Sequence, residues 1–565
     1  MKTVKIGIIF SALALAGLTS IAVSAPEATK TYTNPIIPGD WSDPGIVRVG
    51  EDYYTVRSSF GWQPGLHIAH SKDLIHWKYI GFADTKNAFD RKHGITEPGI
   101  WGSDIGYNPN NKTYLVYAPM GGHIRVFSSK HPAGPYKDGG KLTRGYDPGF
   151  FADDDGTLYL TKSGGEVHKL TPDGLRVDGD PIVKVAGGEG PELFKANGYY
   201  YYIISPGGTR PYQDHMIMSY RSKNLKGPWE KDPKNPVMHA PHTTNAKLQG
   251  PGHGEVFQTQ NGEWFLSYHA YELSHYSLGR QTCLEPVTWT DDGWWRPVNG
   301  KIPSESNKAP DLKQVEFKMQ DSDEFDTKDL GKQWFFHSES DVSGRSWSLT
   351  ERPGFLRIKT AEGDISSLPV SKNLFLQRVM DKKFDVISEV EFDAKEGNEA
   401  AGIHFYHDPE KSFWLTTTVV EGKKMFEVGF YDKVFKSDVD PATLKPHQIN
   451  KTYRSTPKEK KILARVPNTI GKKVFFKISV DGQETAHFFY GADGKNWTEI
   501  DAEIYFGDSW HCSRLGKKPG SPDLGWVGTG RDNVWTATVM GVFACKNGAA
   551  KSKNADFQSF QVIKH

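Results

Sequence analysis

Ser42-Asp43-Pro44-Gly45-Ile46-Val47-Arg48-Val49-Gly50-Glu51-Asp52-Tyr53-Tyr54-Thr55-Val56 is the stretch from which the fold can be read. Gly50, Glu51 and Asp52 make a turn-forming cluster between two short runs of β-branched and aromatic residues, which is a β-hairpin signal. The arrangement returns four times. Asn110, Asn111 and Lys112 precede Thr113, Tyr114, Leu115, Val116 and Tyr117, and Asp155 and Gly156 precede Leu158, Tyr159 and Leu160. Asn197 and Gly198 precede Tyr199, Tyr200, Tyr201 and Tyr202, and Asn261 and Gly262 precede Trp264, Phe265, Leu266, Ser267 and Tyr268. Five copies within 31–305 give a mean period of about 50 residues, the spacing expected of propeller blades.

A second regularity lies upstream of each hairpin. About eleven residues before each aromatic strand stands a polar residue among Gly and Pro: Asp43, Asp104, Asp147, Glu189 and His253 in turn. Placed at the start of each blade's innermost strand, all five are expected to point into one axial pocket. Asp-Pro and Gly-Glu-Gly are also ordinary turn sequences, but here they recur at one phase of a repeat. Converging carboxylates are costly as scaffolding, because like charges raise one another's ionisation cost. They do suit hydrolysis of a glycosidic bond, in which one carboxylic acid protonates the leaving oxygen and a second carboxylate activates water or attacks. The alternatives are a Ca²⁺ site, since that cation prefers oxygen ligands, and a lectin whose carboxylates only contact a glycan.

Composition excludes several other classes. The chain has 565 residues, too many for one ordinary core, and large all-β domains bring the expected number down to two. Lys plus Arg is 69 against 68 Asp plus Glu, so there is no basic excess with which to bind nucleic acid. Aromatic residues make up 13% with only 9 Met, and 58 Gly and 34 Pro supply turns, as expected of short strands around stacking surfaces. Residues 1–25 have the layout of a secretory signal peptide: Lys2 and Lys5, an uncharged apolar stretch, then Val23, Ser24 and Ala25 for cleavage. Export to the periplasm or medium is expected, with no membrane-spanning domain in the mature chain, because no later stretch could cross a bilayer. Three cysteines are too few for a disulfide scaffold; Cys512 and Cys545 could pair, and Cys283 is read as a small buried hydrophobe.

After a short polar linker at 303–310 the texture changes. Runs such as Phe355, Leu356, Arg357, Ile358 and Val474, Phe475, Phe476, Lys477, Ile478 alternate without helical periodicity. The segment 320–565 therefore reads as a two-sheet β-sandwich, and the whole chain as all-β, a five-bladed propeller followed by a sandwich. The short linker favours a sandwich fixed on the propeller over a tethered carbohydrate-binding module.

The run from Asn34 through Trp41, Ser42, Asp43, Pro44 and Gly45 resembles the opening blade of glycoside hydrolase family 43. The likeness continues through Ser58-Ser59-Phe60, Gly99-Ile100-Trp101, Asp147-Pro148-Gly149, Glu189-Gly190-Pro191 and Leu278-Gly279-Arg280-Gln281, spanning 31–305. It implies a five-bladed propeller that inverts configuration at the anomeric carbon, with Asp43 as general base, Glu189 as general acid and Asp147 as the residue that tunes and orients the acid. By the same resemblance Arg280 reaches the sugar and the base, Phe60 and Trp101 wall the terminal subsite, and His253 is placed for Ca²⁺ or water at the axis. Asp104 is expected to anchor blades. No organic cofactor is implied, and a structural Ca²⁺ is the one candidate ion. The second half resembles the concanavalin-A-like domain of family 43 β-xylosidases and some arabinofuranosidases. Departures at Trp41 and Glu192 put the sugar in doubt and tilt the expectation to arabinofuranoside over xyloside. The expected activity is exo-hydrolysis of pentose-containing oligosaccharide or polysaccharide. Asp153, Asp154 and Asp155 resemble the start of an EF-hand, but the ligand pattern fails and they read as a hairpin tip.

Overall fold

The computed structural model describes residues 30–85, 99–209, 214–241, 244–337, 346–363, 365, 373–397, 399–408, 411–433, 458–507, 536–546, 548 and 551–565. The expected signal peptide and Cys512 lie outside the described residues. Five antiparallel sheets follow one another in chain order. The first blade comprises Gly45–Val49, Asp52–Val56, Gly65–Ser71 and Trp77–Asp84, and the second Asp104–Asn108, Thr113–Met120, His123–Ser129 and Lys137–Arg144. Blade three runs from Gly149–Ala152 to Val183–Lys184, blade four from Glu189–Ala196 to Glu230–Lys231, and blade five from Leu248–Gln258 to Trp295–Pro297. Each aromatic run is the second strand of its blade, and each turn cluster links it to the innermost strand. Lys112 and Asn197 sit at these turns with φ of 55° and 50°, the left-handed conformation that tight hairpins require.

Ring closure depends on the N-terminal segment. Thr31–Thr33 pairs with Ser306–Lys308, and Asn34 donates to the carbonyl of Leu284 at 2.8 Å. Tyr32, Ile37 and Trp41 pack in one core with Phe265 and Leu284 of blade five, so the first and last blades share side chains. Asp153, Asp154, Asp155 and Gly156 form a turn between strands, with Asp153 bonded to Lys195 and Tyr200.

The second half forms two packed sheets. One is built around Phe384–Glu391, Lys473–Val480 and Thr485–Gly491; the other around Val539–Lys546, Glu399–Asp408, Lys411–Val420 and Lys423–Lys433. In Lys473–Val480 every second residue is buried, placing Val474, Phe476, Ile478 and Val480 between the sheets. Phe405, Phe413, Phe426 and Phe488 join them, each contributing about 1.5–3 kcal/mol by burial. The two halves are in direct contact: Phe336–His337 adds as a strand to Trp62–Gln63, and Trp62 packs against Phe335 and Tyr406. Among the described residues, no helix is long and apolar enough to cross a membrane.

Candidate active site

Asp43, Asp147 and His253 each stand two residues before the point where the regular ladder with the second strand begins or resumes (Gly45, Gly149 and Glu255), with φ of 52°, 49° and 49°. L-residues avoid this region, and non-Gly residues held in it concentrate at functional sites. The equivalent positions in blades two and four are Gly102 and Gly190, with φ of 57° and 52°. The sequence expectation of five polar residues at one phase is therefore corrected. The inner ring is Asp43, Gly102, Asp147, Gly190 and His253, while Glu189 lies one residue earlier and Asp104 two residues later. The glycines are sterically required: a Cβ on Gly102 would come within 2.0 Å of Asp147 Oδ1.

A cavity of about 220 Å³ opens at this ring, walled by Asp43, Phe60, Trp101, Tyr146, Asp147, Glu189, Thr209, His253 and Arg280. Seven of these residues were legible in the sequence; Tyr146 and Thr209 were not. Tyr146 is 45% exposed and its ring lies 5.2 Å from Trp101, so the two form an aromatic rim beside Asp147. Trp41 and Glu192, the departures expected to influence the sugar, are both buried away from the pocket wall. The tilt towards arabinofuranoside loses that support.

Asp43 is buried and held by four groups. Arg280 Nη1 lies 2.5 Å from Oδ1, Ser58 Oγ donates to Oδ2 at 2.6 Å, and His269 Nδ1 and His253 Nδ1 lie 3.1 and 3.4 Å from Oδ1. Burial opposes ionisation here, but Arg280 and then the two histidines outweigh it and hold the carboxyl well below its ordinary value. It stays an anion, as a base must. The His269 ring also lies 3.2 Å from the main-chain N of Asp43 through Nδ1, and its Nε2 faces His215 Nδ1 at 3.4 Å. No sequence signal singled out His269 or His215, because a histidine inside a strand reads as core.

The other two carboxyls are shifted the opposite way. Asp147 accepts from Ser163 Oγ at 3.0 Å and from the Gly190 N–H at 3.1 Å. Burial first, then Glu189 and Asp43, push it up to about 8. Glu189 is partly exposed at the mouth, with His215 Nε2 3.8 Å from Oε2. It is raised by burial and then by Asp43, against the pull of Arg280. One carboxyl held as an anion beside two whose proton affinity is raised is the division of labour that acid–base hydrolysis needs. His253 has a partner in Asp43, and among the described residues no group of three or more His, Cys, Asp or Glu is placed to hold a metal ion.

Asp104 is not part of this pocket. Its Oδ2 accepts the Phe150 N–H at 2.6 Å, tying blade two to blade three, and Glu255 likewise accepts the Ile46 N–H of blade one at 2.7 Å. With Glu192 they form a deeper buried layer of carboxyls. Glu192 is held well above its ordinary value by burial, then by Asp104, Glu255 and Asp147. A raised folded-state value means that its contribution to stability is full below about pH 4.5 and is lost as the pH rises. Glu192→Gln is therefore expected to gain on the parent protein progressively as the pH rises above about 4.5. Melting curves of both proteins at pH 5, 6.5 and 8 check this; a difference that stays flat with pH would refute it.

Comparison with known proteins follows the same division of the chain. Residues 32–295 match glycosyl hydrolases family 43, and residues 322–563 match the beta xylosidase C-terminal concanavalin A-like domain. A "non-reducing end alpha-L-arabinofuranosidase" of Bacteroides ovatus is 29% identical, over 97% of this chain and 97% of its own. A "xylosidase/arabinosidase" of Butyrivibrio fibrisolvens is 31% identical, over 70% of this chain and 81% of its own. Among solved structures, a family 43 protein of Bacillus licheniformis superposes with a TM-score of 0.80 at 31% identity, over 95% of this chain and 100% of that one.

Proposed function

The chain belongs to glycosyl hydrolases family 43 and is a glycoside hydrolase; we propose that it inverts and removes terminal α-L-arabinofuranosyl or β-D-xylosyl residues from hemicellulose or its oligosaccharides. The observation that carries this reading is the opposed environment of the pocket carboxyls: Asp43 held as an anion by Arg280, Asp147 and Glu189 held towards the protonated form. In the mechanism Asp43 takes a proton from water, and the water oxygen bonds to the anomeric carbon as the glycosidic bond breaks. Glu189 gives its proton to the departing oxygen. Asp147, carrying its own proton, orients Glu189 and avoids adding a second negative charge beside Asp43.

A cavity of about 220 Å³ supports exo action by its small volume. Phe60, Trp101 and Arg280 are assigned to the terminal sugar. The names of the Bacteroides and Butyrivibrio relatives support both pentosides. The catalytic unit is taken as 31–305 and the sandwich as 320–565, preceded by an export signal at 1–25. Hydrolysis of aryl α-L-arabinofuranoside beside aryl β-D-xyloside, with the anomer of the first product followed by NMR, tests the proposal. Inverted pentose from either substrate is expected, and the rate ratio identifies the sugar. Retained configuration would overturn the mechanism, and no turnover of either would move the activity to another glycoside or to a lectin.

A further inference from the structure

Arg280 and Asp43 are 237 residues apart, and their pairing depends on two chain segments being held together. The segments are zipped along their length: Gly39 N–H donates to Gln281 Oε1 at 2.9 Å, Trp41 N–H to the Arg280 carbonyl at 3.2 Å, and Thr282 Oγ1 to the Trp41 carbonyl at 2.5 Å. Both segments are also gripped from outside the propeller. Leu278, two residues before Arg280, is 3% exposed and belongs to the apolar core of the sandwich. Beside it, the Ser277 carbonyl accepts the Thr538 N–H at 2.8 Å, Ser277 Oγ donates to Glu484, and Gly279 leaves only 2.9 Å between a Cβ and Ala537. On the other segment, Arg378 of the sandwich donates to the Pro38 carbonyl at 2.9 Å and lies 5.0 Å from the Trp41 ring. Gly39 is pressed against Val379, with a Cβ position 2.3 Å from its carbonyl oxygen.

We propose that the sandwich is a positioning element of the catalytic base: its 481–484 loop and the 536–538 segment clamp the 275–280 turn, setting Arg280 on Asp43. The inference rests on the assignment of Asp43 as base. The clamp acts on the base through the Arg280 contact. A displacement of about 1 Å at a catalytic group costs up to about a hundredfold in rate, so a clamp this close to the base has leverage. Asp43 is faced by Arg280, His253, His269 and Ser58, with Asp40, Asp147 and Glu189 acting at longer range. Among these, Arg280 does most to keep Asp43 ionised. Loosening the turn therefore raises the pH at which the base is lost.

Glu484→Ala and Ser277→Ala, singly and together, test the clamp. Each is expected to lower kcat/KM about tenfold, mostly through kcat, and to move the acid limb of its pH profile upward. Because both remove the same Ser277–Glu484 contact, the double variant should lose less than the sum of the singles. Gly279→Ala, which drives a methyl into Ala537, is expected to act in the same direction should Glu484→Ala fail to fold. Lower melting temperature with an unmoved acid limb would overturn the proposal, as would additive losses. Asp43→Asn runs beside them: retained turnover there defeats the base assignment itself, whereas its loss with an unmoved limb in the clamp variants defeats only the clamp.

Discussion

Asp43→Asn is expected to lower kcat/KM by about 10³–10⁴, the upper range for removing a general base. Asn keeps the size of the side chain and can still accept from Ser58, so the pocket keeps its shape. What it lacks is a lone pair basic enough to take a proton from water. The substitution also takes the Asp43 carboxylate away from Arg280, which is buried, and breaking a buried pair from one side costs about 3–5 kcal/mol. A melting curve and circular dichroism must accompany the kinetics for that reason. The pH dependence supplies a sign to check. Asp43 has its folded-state value lowered, so its contribution to stability is present above about pH 3.9 and is lost as the pH falls towards that lowered value. The stability gap between the parent protein and Asp43→Asn should accordingly narrow below about pH 4. A gap that widens on acidification would mean that Asp43 is not held as an anion. Unimpaired turnover at neutral pH would remove it from the mechanism.

The second large effect depends on the substrate. Glu189→Gln cannot protonate a leaving oxygen, so a pentoside whose leaving group is a sugar or an alcohol should lose about 10³ in kcat/KM. A dinitrophenyl pentoside needs no such help, because its phenolate is already stable, and should lose less than about tenfold. The alkaline limb adds a second criterion. In the parent protein burial and Asp43 raise Glu189 above the ordinary glutamate value, and activity falls as its proton is lost. With the dinitrophenyl substrate that limb should disappear in Glu189→Gln. Equal losses on both substrates would assign Glu189 to binding or folding rather than to proton donation, and Asp147, which holds a proton to about pH 8, would become the candidate acid.

The repeat was legible because a hairpin is local. Gly50, Asn110, Asn197 and Asn261 stand at the hairpin turns, and alternating rings follow within a few residues, so composition and spacing carry the information. The same holds for the sandwich strand Lys473–Val480, whose alternation is its burial pattern. Asp43, Asp147 and Glu189 were legible through their Gly and Pro surroundings, which mark backbone forced into unusual conformations. The phase of the ring was misread at two places for an instructive reason. Asp104 and Glu189 are the nearest carboxylates to the repeat position, but that position is occupied in their blades by Gly102 and Gly190, where no side chain fits. A search for polar side chains passes over a glycine that is needed for the space it leaves.

By itself, then, the amino-acid sequence determined the strands and pointed to the candidate carboxyls, since hairpins and Gly- and Pro-marked turns rest on interactions between residues close in the chain. Tertiary structure alone decided what those residues do. Closure of the ring brings Arg280 onto Asp43 across 237 residues, and His269 and His253 beside it. That convergence, with loss of water around the buried groups, holds one carboxyl ionised and raises the other two. The sandwich meets the 275–280 turn in the same way, through contacts over about 200 residues such as Ser277 with Glu484. Charge and desolvation act through space, and the spacing of residues along a chain carries no record of distances that only closure creates.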